Sequence, residues 1–289
     1  MIRIQTPATS ANLGPGLDTL GIAFDLYNSF TVSSSEEDVL VNVPQRFQNA
    51  DNLFLKGYRA GCAALGIHDH VSVQVETGIP VSRGLGSSAS FYTAGVFAAG
   101  ALHGNALSKD DILDIVSGLE GHPDNAAPCL LGGLTASFTE DGHTHAEKLP
   151  VSEKLRFTLL WPQEELTTSK SRSVLPESYC RADVSSSLAR VLFMARGMET
   201  GDMKLIRVAG RDVLHQPYRR ELIDGYDEVK RIVEKDTGGT LVLSGSGSAC
   251  LLISLYPLHK EAIRELKTRY KRQVQPVTVC HTGTVMTGV

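Results

Sequence analysis

The 289-residue chain lacks the features that mark several protein classes. No apolar run approaches the roughly 20 residues of a transmembrane helix, and the opening residues MIRIQTPATS have no apolar signal-peptide core. Long runs of Lys or Arg are also missing, and the formal net charge is −4. This balance argues against nucleic acid or an anionic membrane as the main partner. We therefore expect a soluble, cytoplasmic protein.

Cysteine is sparse, and its spacing excludes two further classes. The five cysteines are odd in number, widely separated and without any C-x-x-C pair; they are Cys62, Cys129, Cys180, Cys250 and Cys280. A disulfide framework and a thiolate zinc site are therefore not expected. His143 and His145 have no third ligand in view, so we interpret them as surface residues in a polar turn.

Strand-like and helix-like segments alternate without βαβ regularity, which predicts an α+β fold. Turn-rich sequence near 140–155 separates two patterned halves, so we expect domains at 1–150 and 151–289. In the second half, the pattern over 183–200 predicts a helix with Leu188, Leu192, Ala195 and Met198 facing inward. Another helix is expected to begin at Pro217 and to continue through 235.

A glycine-rich segment at 79–90, IPVSRGLGSSAS, precedes small residues that predict a tightly packed helix over 89–101. Gly84 and Gly86 allow the backbone to expose its N–H groups, and such groups at a helix N-terminus bind anions. The segment matches neither the Walker pattern nor G-x-G-x-x-G. These residues alone are compatible with a nucleotide-phosphate site or with a tight turn before a buried helix.

Two polar features elsewhere suit ligand binding. Asn12 and Asp18 flank a glycine turn within 7–18, although an ordinary surface loop following a strand that ends at Pro7 is the other interpretation. Glu120 ends a predicted helix whose N-cap is Ser108. A carboxylate at a helix C-terminus opposes the dipole, so a bound cation would stabilise it; a solvated Glu at a frayed end is the alternative.

Three motifs together resemble those of the GHMP kinases in order and spacing: PATSANLGPGLDTLG at 7–21, IPVSRGLGSSAS at 79–90 and LVLSGSGSACLLI at 241–253. Further segments resemble the homoserine kinase branch: EGHPDNAAP at 120–128, TTSKSRSVLP at 167–176 and HQPYR at 215–219. The resemblance implies an N-terminal domain like ribosomal protein S5 domain 2 and a ferredoxin-like C-terminal domain. It also implies ATP-dependent phosphorylation of the side-chain hydroxyl of L-homoserine, giving O-phospho-L-homoserine for threonine biosynthesis, and a homodimer.

By resemblance, the glycine loop wraps the ATP phosphates and Asn52 lies near the adenine. The implied ATP-binding residues are Asn52, Pro80, Val81, Ser82, Arg83, Gly84, Leu85, Gly86, Ser87, Ser88, Ala89 and Ser90. Ser88 and Glu120 would hold Mg²⁺, a hard ion that prefers oxygen ligands. The implied acceptor-binding residues are Asn12, Asp18, Asn125, Thr168, Arg172 and Arg219.

A zwitterionic acceptor needs both signs of charge. We expect Asp18 to meet the ammonium and hydroxyl end, and Arg172 with Arg219 to clamp the carboxylate, because guanidinium pairs bidentately with carboxylate. The catalytic set is then Asp18, Glu120 and Ser88, with Asp18 positioning the acceptor first and acting as a base only secondarily. No lysine neighbours Asp18 in sequence, which favours orientation over a dedicated base.

Two departures from the family pattern stand out. Leu17 replaces Phe in the usual GFD, and SGSGSA replaces SGAGP, so that Ser246 and Ser248 stand for Ala and Pro. Two other functions remain open at this point: a related kinase with another hydroxyl acceptor, and a non-catalytic sensor of ATP or an amino acid. The sensor would be marked by loss of Ser88, Glu120 or Asp18, and all three residues are present.

Overall fold

Two β-sheets organise the chain in the computed structural model, which describes residues 1–288. The first half contains β1 (Ile2–Ala11), β2 (Leu20–Ser35), β3 (Val39–Val41), α1 (Leu53–Ala64), β4 (His70–Glu76), α2 (Ser87–Leu102), α3 (Lys109–Glu120), α4 (Pro123–Leu131), β5 (Leu134–Glu140) and β6 (His143–Leu149). The second half contains β7 (Arg156–Trp161), α5 (Thr168–Arg172), α6 (Arg181–Thr200), α7 (Met203–Ala209), α8 (Gln216–Arg219), α9 (Tyr226–Thr237), β8 (Thr240–Leu243), β9 (Cys250–Ser254), α10 (Lys260–Thr268), β10 (Gln273–Val277) and β11 (Val285–Gly288).

The first sheet has the order β11-β1-β2-β4-β3, with β5 pairing with both β2 and β6. The second sheet has the order β10-β7-β9-β8. Numbered along the chain, its strands run 4-1-3-2, and helices separate its first from its second strand and its third from its fourth. This βαββαβ arrangement is ferredoxin-like, as expected. The α+β class is therefore confirmed.

The two sheets share one hydrophobic core. Leu20 and Phe24 of β2 lie in the same buried cluster as Phe157 of β7 and Val242 of β8, and the rings of Phe24 and Phe157 are 5.4 Å apart. The last strand, β11, returns to pair with β1, so sheet membership does not change at a single point in the chain. The division at 1–150 and 151–289 stays a prediction.

The first strand continues beyond its predicted end at Pro7 as far as Ala11. A proline cannot donate to a strand ladder, and the register shifts between Pro7 and Ala8, where a bulge accommodates it. The glycine turn is consequently shorter than predicted. Asn12 and Asp18, at its two ends, both adopt positive φ, at 56° and 52°.

The predicted inward face of α6 is partly wrong. Met198 is buried and Ala195 is partly buried, but Leu188 and Leu192 are 66% and 70% exposed. The helix packs on α7 through Met194, Gly197 and Met198 instead. Apolar residues at helical spacing can lie on a buried face or on an exposed one, so the pattern alone does not show which face of α6 is buried.

Three smaller predictions also differ from the structure. The helix expected from Pro217 is interrupted, because Gly225 adopts a left-handed conformation before α9 begins. The polar sequence over 167–176 predicts a loop, but Lys170 and Arg172 lie on the short helix α5. His143 and His145 are exposed, as expected, but lie on β6, which pairs with β5. Short exposed strands lack the apolar alternation by which sequence analysis finds them.

Within residues 1–288, none of the helices combines the length and apolar character needed to cross a membrane.

Candidate active site

The glycine loop leads directly into the N-terminus of α2. Gly84 and Gly86 adopt positive φ, at 75° and 68°, and Gly86 is the N-cap residue. No side chain caps this helix, and the first N–H groups of any helix have no partner within the helix. The start of α2 therefore presents free donors and the positive end of its dipole, as an anion site requires.

The third glycine motif packs against this loop and fixes it. Ser244 Oγ donates to the Gly84 carbonyl at 2.7 Å, and the Ala249 N–H donates to the Arg83 carbonyl at 2.8 Å. The motif is in turn held by the segment that follows β7, since Ser248 Oγ donates to the Glu164 carbonyl at 3.0 Å. The serine that replaces the family proline thus forms a hydrogen bond of its own.

The close approach leaves no space for a side chain at Gly84. A Cβ there would lie 2.2 Å from the Ser244 carbonyl oxygen and 2.7 Å from that of Gly247. We expect Gly84→Ala to raise the KM for ATP at least ~10-fold, because the loop must move off its backbone anchor. Gly104→Ala is the matched control: Gly104 also has positive φ, at 77°, with nothing near its Cβ position, so it should cost only about 1–2 kcal/mol of stability.

Both variants would be measured by thermal unfolding and by ATP-dependent initial rates. A Gly84→Ala protein with the stability and the KM for ATP of Gly104→Ala would contradict this account of the loop.

Ser88 and Glu120 are in contact near the N-terminus of α2. Ser88, in the first turn of α2, donates a short hydrogen bond from its hydroxyl to Glu120 Oε1 at the end of α3. Burial raises the pKa of Glu120, an effect that the Ser88 hydrogen bond and the nearby His122 only partly offset. A desolvated carboxylate beside a hydroxyl and an anion site is a suitable environment for a divalent cation.

A cavity of about 790 Å³ joins the glycine loop to the expected acceptor residues. Of the predicted site residues it is lined by Asn12, Asn52, Val81, Ser82, Arg83, Gly84, Leu85, Gly86, Ser87, Ser88, Glu120, Asn125, Thr168, Arg172 and Arg219. Pro80, Asp18, Ala89 and Ser90 are not among the lining residues. Asp18 is nevertheless at the site, through its contact with Arg172.

Some predicted ATP-binding side chains are already engaged. Ala89 and Ser90 are fully buried, and Ser90 Oγ lies 2.6 Å from Thr6 Oγ1. The Arg83 guanidinium donates to the Pro162 carbonyl at 3.1 Å, which leaves the loop backbone as the group directed at the cavity. The sequence predicts Asp51 as the cap of α1, but Asn52 caps this helix by accepting from the Phe54 N–H at 3.0 Å.

The expected acceptor end contains an ion pair. Arg172 Nη2 lies 2.7 Å from Asp18 Oδ1, and its Nη1 lies 3.4 Å from Oδ2. The Asp18 N–H donates to Asn12 Oδ1 at 2.8 Å, which holds the turn in its left-handed conformation. The group expected for the ammonium and one group expected for the carboxylate therefore neutralise each other in the structure.

Arg219 is a buried cation at the cavity wall, with only 1% of its surface exposed. It donates to the carbonyls of Ser171 and Gly245, both at 3.4 Å, and to His215 Nδ1 at 3.3 Å. Burial lowers its pKa, and the neighbouring charge of Arg172 adds to this effect. In the described part of the chain it pairs with no carboxylate, so an anion in the cavity would be its natural counter-ion.

Asn125 and Thr168 complete the predicted acceptor set. Asn125 is 8% exposed, and its Oδ1 accepts from Thr9 Oγ1 at 2.6 Å. Thr168 Oγ1 lies 3.5 Å from Ser246 Oγ, so the helix α5 touches the third glycine motif. The residues predicted from distant parts of the chain thus surround one cavity.

Sequence reasoning assigned no role to His122 and Asp124, which lie between Glu120 and Asn125. His122 Nδ1 donates to Asp124 Oδ1 at 2.6 Å, and Asp124 is fully buried. Burial lowers the pKa of His122, but the hydrogen bond and charge of Asp124, together with the charge of Glu120, outweigh it and raise the pKa overall. The H-x-D spacing at the start of α4 was the available signal.

The sequence gives no separate signal for His215 beyond its place in the HQPYR segment. His215 is fully buried, its Nε2 donates to the Gly14 carbonyl at 2.7 Å, and Arg219 donates to its Nδ1. Burial lowers its pKa, which keeps the imidazole neutral and able to accept from Arg219. It links the first glycine turn to the buried arginine.

A second group of potential metal ligands lies beside the first. Oxygen and nitrogen atoms of Asp18, His122 and Asp124 lie within 4.8 Å of one another. Their charges are already matched, since Asp18 pairs with Arg172 and Asp124 with His122. Mg²⁺ prefers oxygen ligands to imidazole, so Ser88 and Glu120 fit this ion better than the group does.

Comparisons with known proteins agree with the geometry. A family model described as "GHMP kinases N terminal domain" matches residues 52–133. A protein from Clostridium botulinum named homoserine kinase is 36% identical over 293 residues, covering 99% of this chain and 98% of that protein. One from Clostridium beijerinckii, with the same name, is 36% identical over 259 residues, covering 88% and 86%.

A solved structure has the same architecture. The crystal structure of homoserine kinase from Cytophaga hutchinsonii matches with a TM-score of 0.85 and 27% identity, covering 99% of this chain and 97% of that one. Full-length similarity in sequence and fold, with all three motifs gathered around one cavity, identifies the relationship: the chain belongs to the homoserine kinases of the GHMP kinase family.

Proposed function

We propose that the chain transfers the γ-phosphoryl group of ATP to the side-chain hydroxyl of L-homoserine. One observation carries the proposal: a single cavity is lined both by the uncapped start of α2 and by Arg172 and Arg219. The relatives named homoserine kinase support the same acceptor. ATP phosphates would lie at the glycine loop, and the amino acid at the arginines.

The adenine would occupy the apolar end of the cavity. Val43, Phe47 and Tyr92 line it there, beside the helix α1 that Asn52 caps. Aromatic and aliphatic side chains provide a stacking surface for a base, and the capped helix keeps that wall rigid.

The acceptor would bind by exchanging partners within the site. Its ammonium would take the place of Arg172 at Asp18, and its carboxylate would meet Arg172 and the buried Arg219. Both ends of the amino acid are then fixed, so its hydroxyl is held toward the phosphates. Positioning of this kind supplies much of the rate enhancement in phosphoryl transfer.

In the transfer step, the acceptor oxygen forms a bond to the γ-phosphorus while the bond to the β–γ bridging oxygen breaks. ADP leaves with that electron pair, and the hydroxyl proton passes to a phosphate oxygen or to solvent. Ser88 and Glu120 would hold Mg²⁺, which neutralises the phosphate charge when bound. The N–H groups at the start of α2 would support the same charge.

Asp18 can be tested with an acceptor that lacks the ammonium. We expect the protein to prefer L-homoserine to 4-hydroxybutyrate by about 10²-fold in kcat/KM, and Asp18→Asn to reduce this preference to a few-fold. The reason is that 4-hydroxybutyrate has no ammonium group to pair with the Asp18 carboxylate. Asp25→Asn is the control, since Asp25 does not line the cavity and its carboxylate accepts hydrogen bonds from the N–H and Oγ1 of Thr278. A preference unchanged in Asp18→Asn would refute the assignment.

The acceptor class is tested by ADP release with L-homoserine, D-homoserine, mevalonate and galactose. We expect turnover with L-homoserine alone at a rate well above background. Comparable turnover on mevalonate with none on L-homoserine would support the related kinase with another acceptor. ATP binding without turnover on any acceptor would support the sensor.

A further inference from the structure

One buried side chain contacts the chain on both sides of the glycine loop. Asn28 lies on β2 and is fully buried. Its Oδ1 accepts from the N–H groups of Gly78 and Ile79, at 3.0 Å and 3.1 Å, where the chain enters the loop after β4. Its Nδ2 donates to Ser90 Oγ at 2.9 Å, in the first turn of α2. The amide therefore bridges the entry of the loop and the helix that follows it.

The orientation of this amide follows from its partners. A backbone N–H can only donate, so the atom that faces Gly78 and Ile79 is the carbonyl oxygen, and the NH₂ group faces Ser90. The loop entry also lies unusually near β2, because a Cβ on Gly78 would be 2.4 Å from the Tyr27 carbonyl oxygen. Glycine at this position allows the chain to reach the amide.

Between the two ends of the bridge, the loop turns its carbonyl groups toward the protein. The carbonyls of Arg83, Gly84 and Leu85 all accept hydrogen bonds from other segments. In a planar trans peptide, the C=O group and the N–H group that follows it point in opposite directions. The N–H groups of Gly84, Leu85 and Gly86 are therefore directed away from these anchors, and no group within residues 1–288 accepts from them.

We propose that Asn28 is a positioning residue for the nucleotide, which fixes the two ends of the glycine loop so that its free N–H groups converge on the ATP phosphates. This role rests on the proposed function, which assigns the phosphates to the loop. Gly84 and Gly86 have more backbone freedom than other residues, so a loop released at one end would populate more conformations. ATP would then have to order the loop on binding, which lowers affinity.

Thr6 provides a matched comparison in the same buried place. It lies opposite Asn28 in the pairing of β1 with β2, and its Oγ1 is 2.6 Å from Ser90 Oγ. Thr6, Asn28 and Ser90 are all fully buried. Among residues 1–288, the Thr6 hydroxyl hydrogen-bonds to Ser90 alone. Removing this hydroxyl takes away a buried hydrogen bond and leaves the bridge intact.

The test is titration calorimetry of ATP with Mg²⁺, without an acceptor, so that no transfer occurs. We expect Ser90→Ala, which cuts the bridge at α2, to weaken ATP binding about 10-fold, and Asn28→Ala, which cuts it at both ends, to weaken it further. Thr6→Val should bind ATP as tightly as the unmodified protein. All three variants lose buried hydrogen bonds and should unfold at lower temperature, so binding is compared well below their thermal midpoints.

Adenosine separates the loop from the rest of the cavity. It carries no phosphate, so its affinity should stay within about two-fold in every variant. An equal loss for ATP and adenosine, or equal ATP affinity in Ser90→Ala and Thr6→Val, would overturn the positioning role, and the Ser90 comparison stands even if Asn28→Ala does not fold. An unmodified protein that does not bind ATP would overturn the proposed function, and this role with it.

Discussion

Glu120→Gln is expected to lower kcat for L-homoserine phosphorylation by about 10³-fold, since a buried charge that acts on the phosphates is removed. The thermal midpoint should stay constant or rise, because burial disfavours the carboxylate, whose pKa it raises. A neutral carboxamide can still accept from Ser88 Oγ. The change thus separates the charge from the hydrogen bond.

Two controls sharpen this result. Glu147→Gln, at an exposed carboxylate of β6, should leave kcat unchanged. In the unmodified protein without bound metal, burial raises the pKa of Glu120, so falling pH protonates it at a higher pH than an ordinary glutamate. The pH dependence of kcat/KM for ATP reports the free protein, so kcat/KM should fall earlier on the acid side than ATP protonation alone explains. Glu120→Gln should lack that extra dependence. Full turnover in Glu120→Gln would show that Ser88 and Glu120 do not hold the metal.

Arg219→Lys is expected to raise the KM for L-homoserine about 100-fold with little change in the KM for ATP. Lysine keeps the charge but loses the planar fork that matches a carboxylate. L-Homoserinamide, which has no carboxylate, should be a poor substrate for both proteins to a similar degree. This convergence distinguishes a carboxylate contact from a general disturbance of the cavity.

Arg220→Lys is the matched control, one residue further along the chain. Arg220 is exposed and lies 3.4 Å from Asp227, so its replacement should leave both KM values unchanged. If a buried lysine prevents folding, Arg172→Lys gives the same test at a half-buried position. An unchanged KM for L-homoserine in both variants would favour a different acceptor.

The sequence predicts which residues gather at the cavity better than it predicts which apolar faces are exposed. Glycine loops carry their own geometry, because positive φ at Gly84 and Gly86 follows from residue type. The unfavourable position of Glu120 at a helix end is a local signal for a bound cation, and the structure adds the contact of Glu120 with Ser88. Local chemistry of this kind is readable without knowing the fold.

Other features depend on contacts between distant segments. The pairing of Asp18 with Arg172 joins residues 154 positions apart, and no local pattern indicates it. The burial of Arg219 depends on packing against Ser171 and Gly245. Leu188 and Leu192 have the spacing of core residues and are nevertheless exposed. Periodicity identifies an apolar face of a helix but does not show whether another element packs on that face.

The most direct test of the central claim is ³¹P NMR of the product formed from ATP, Mg²⁺ and L-homoserine. The account predicts a new phosphomonoester resonance, coupled to the side-chain methylene protons of the amino acid, that grows in step with ADP. Release of inorganic phosphate alone, or a phosphoryl group on any other atom of the acceptor, would contradict it.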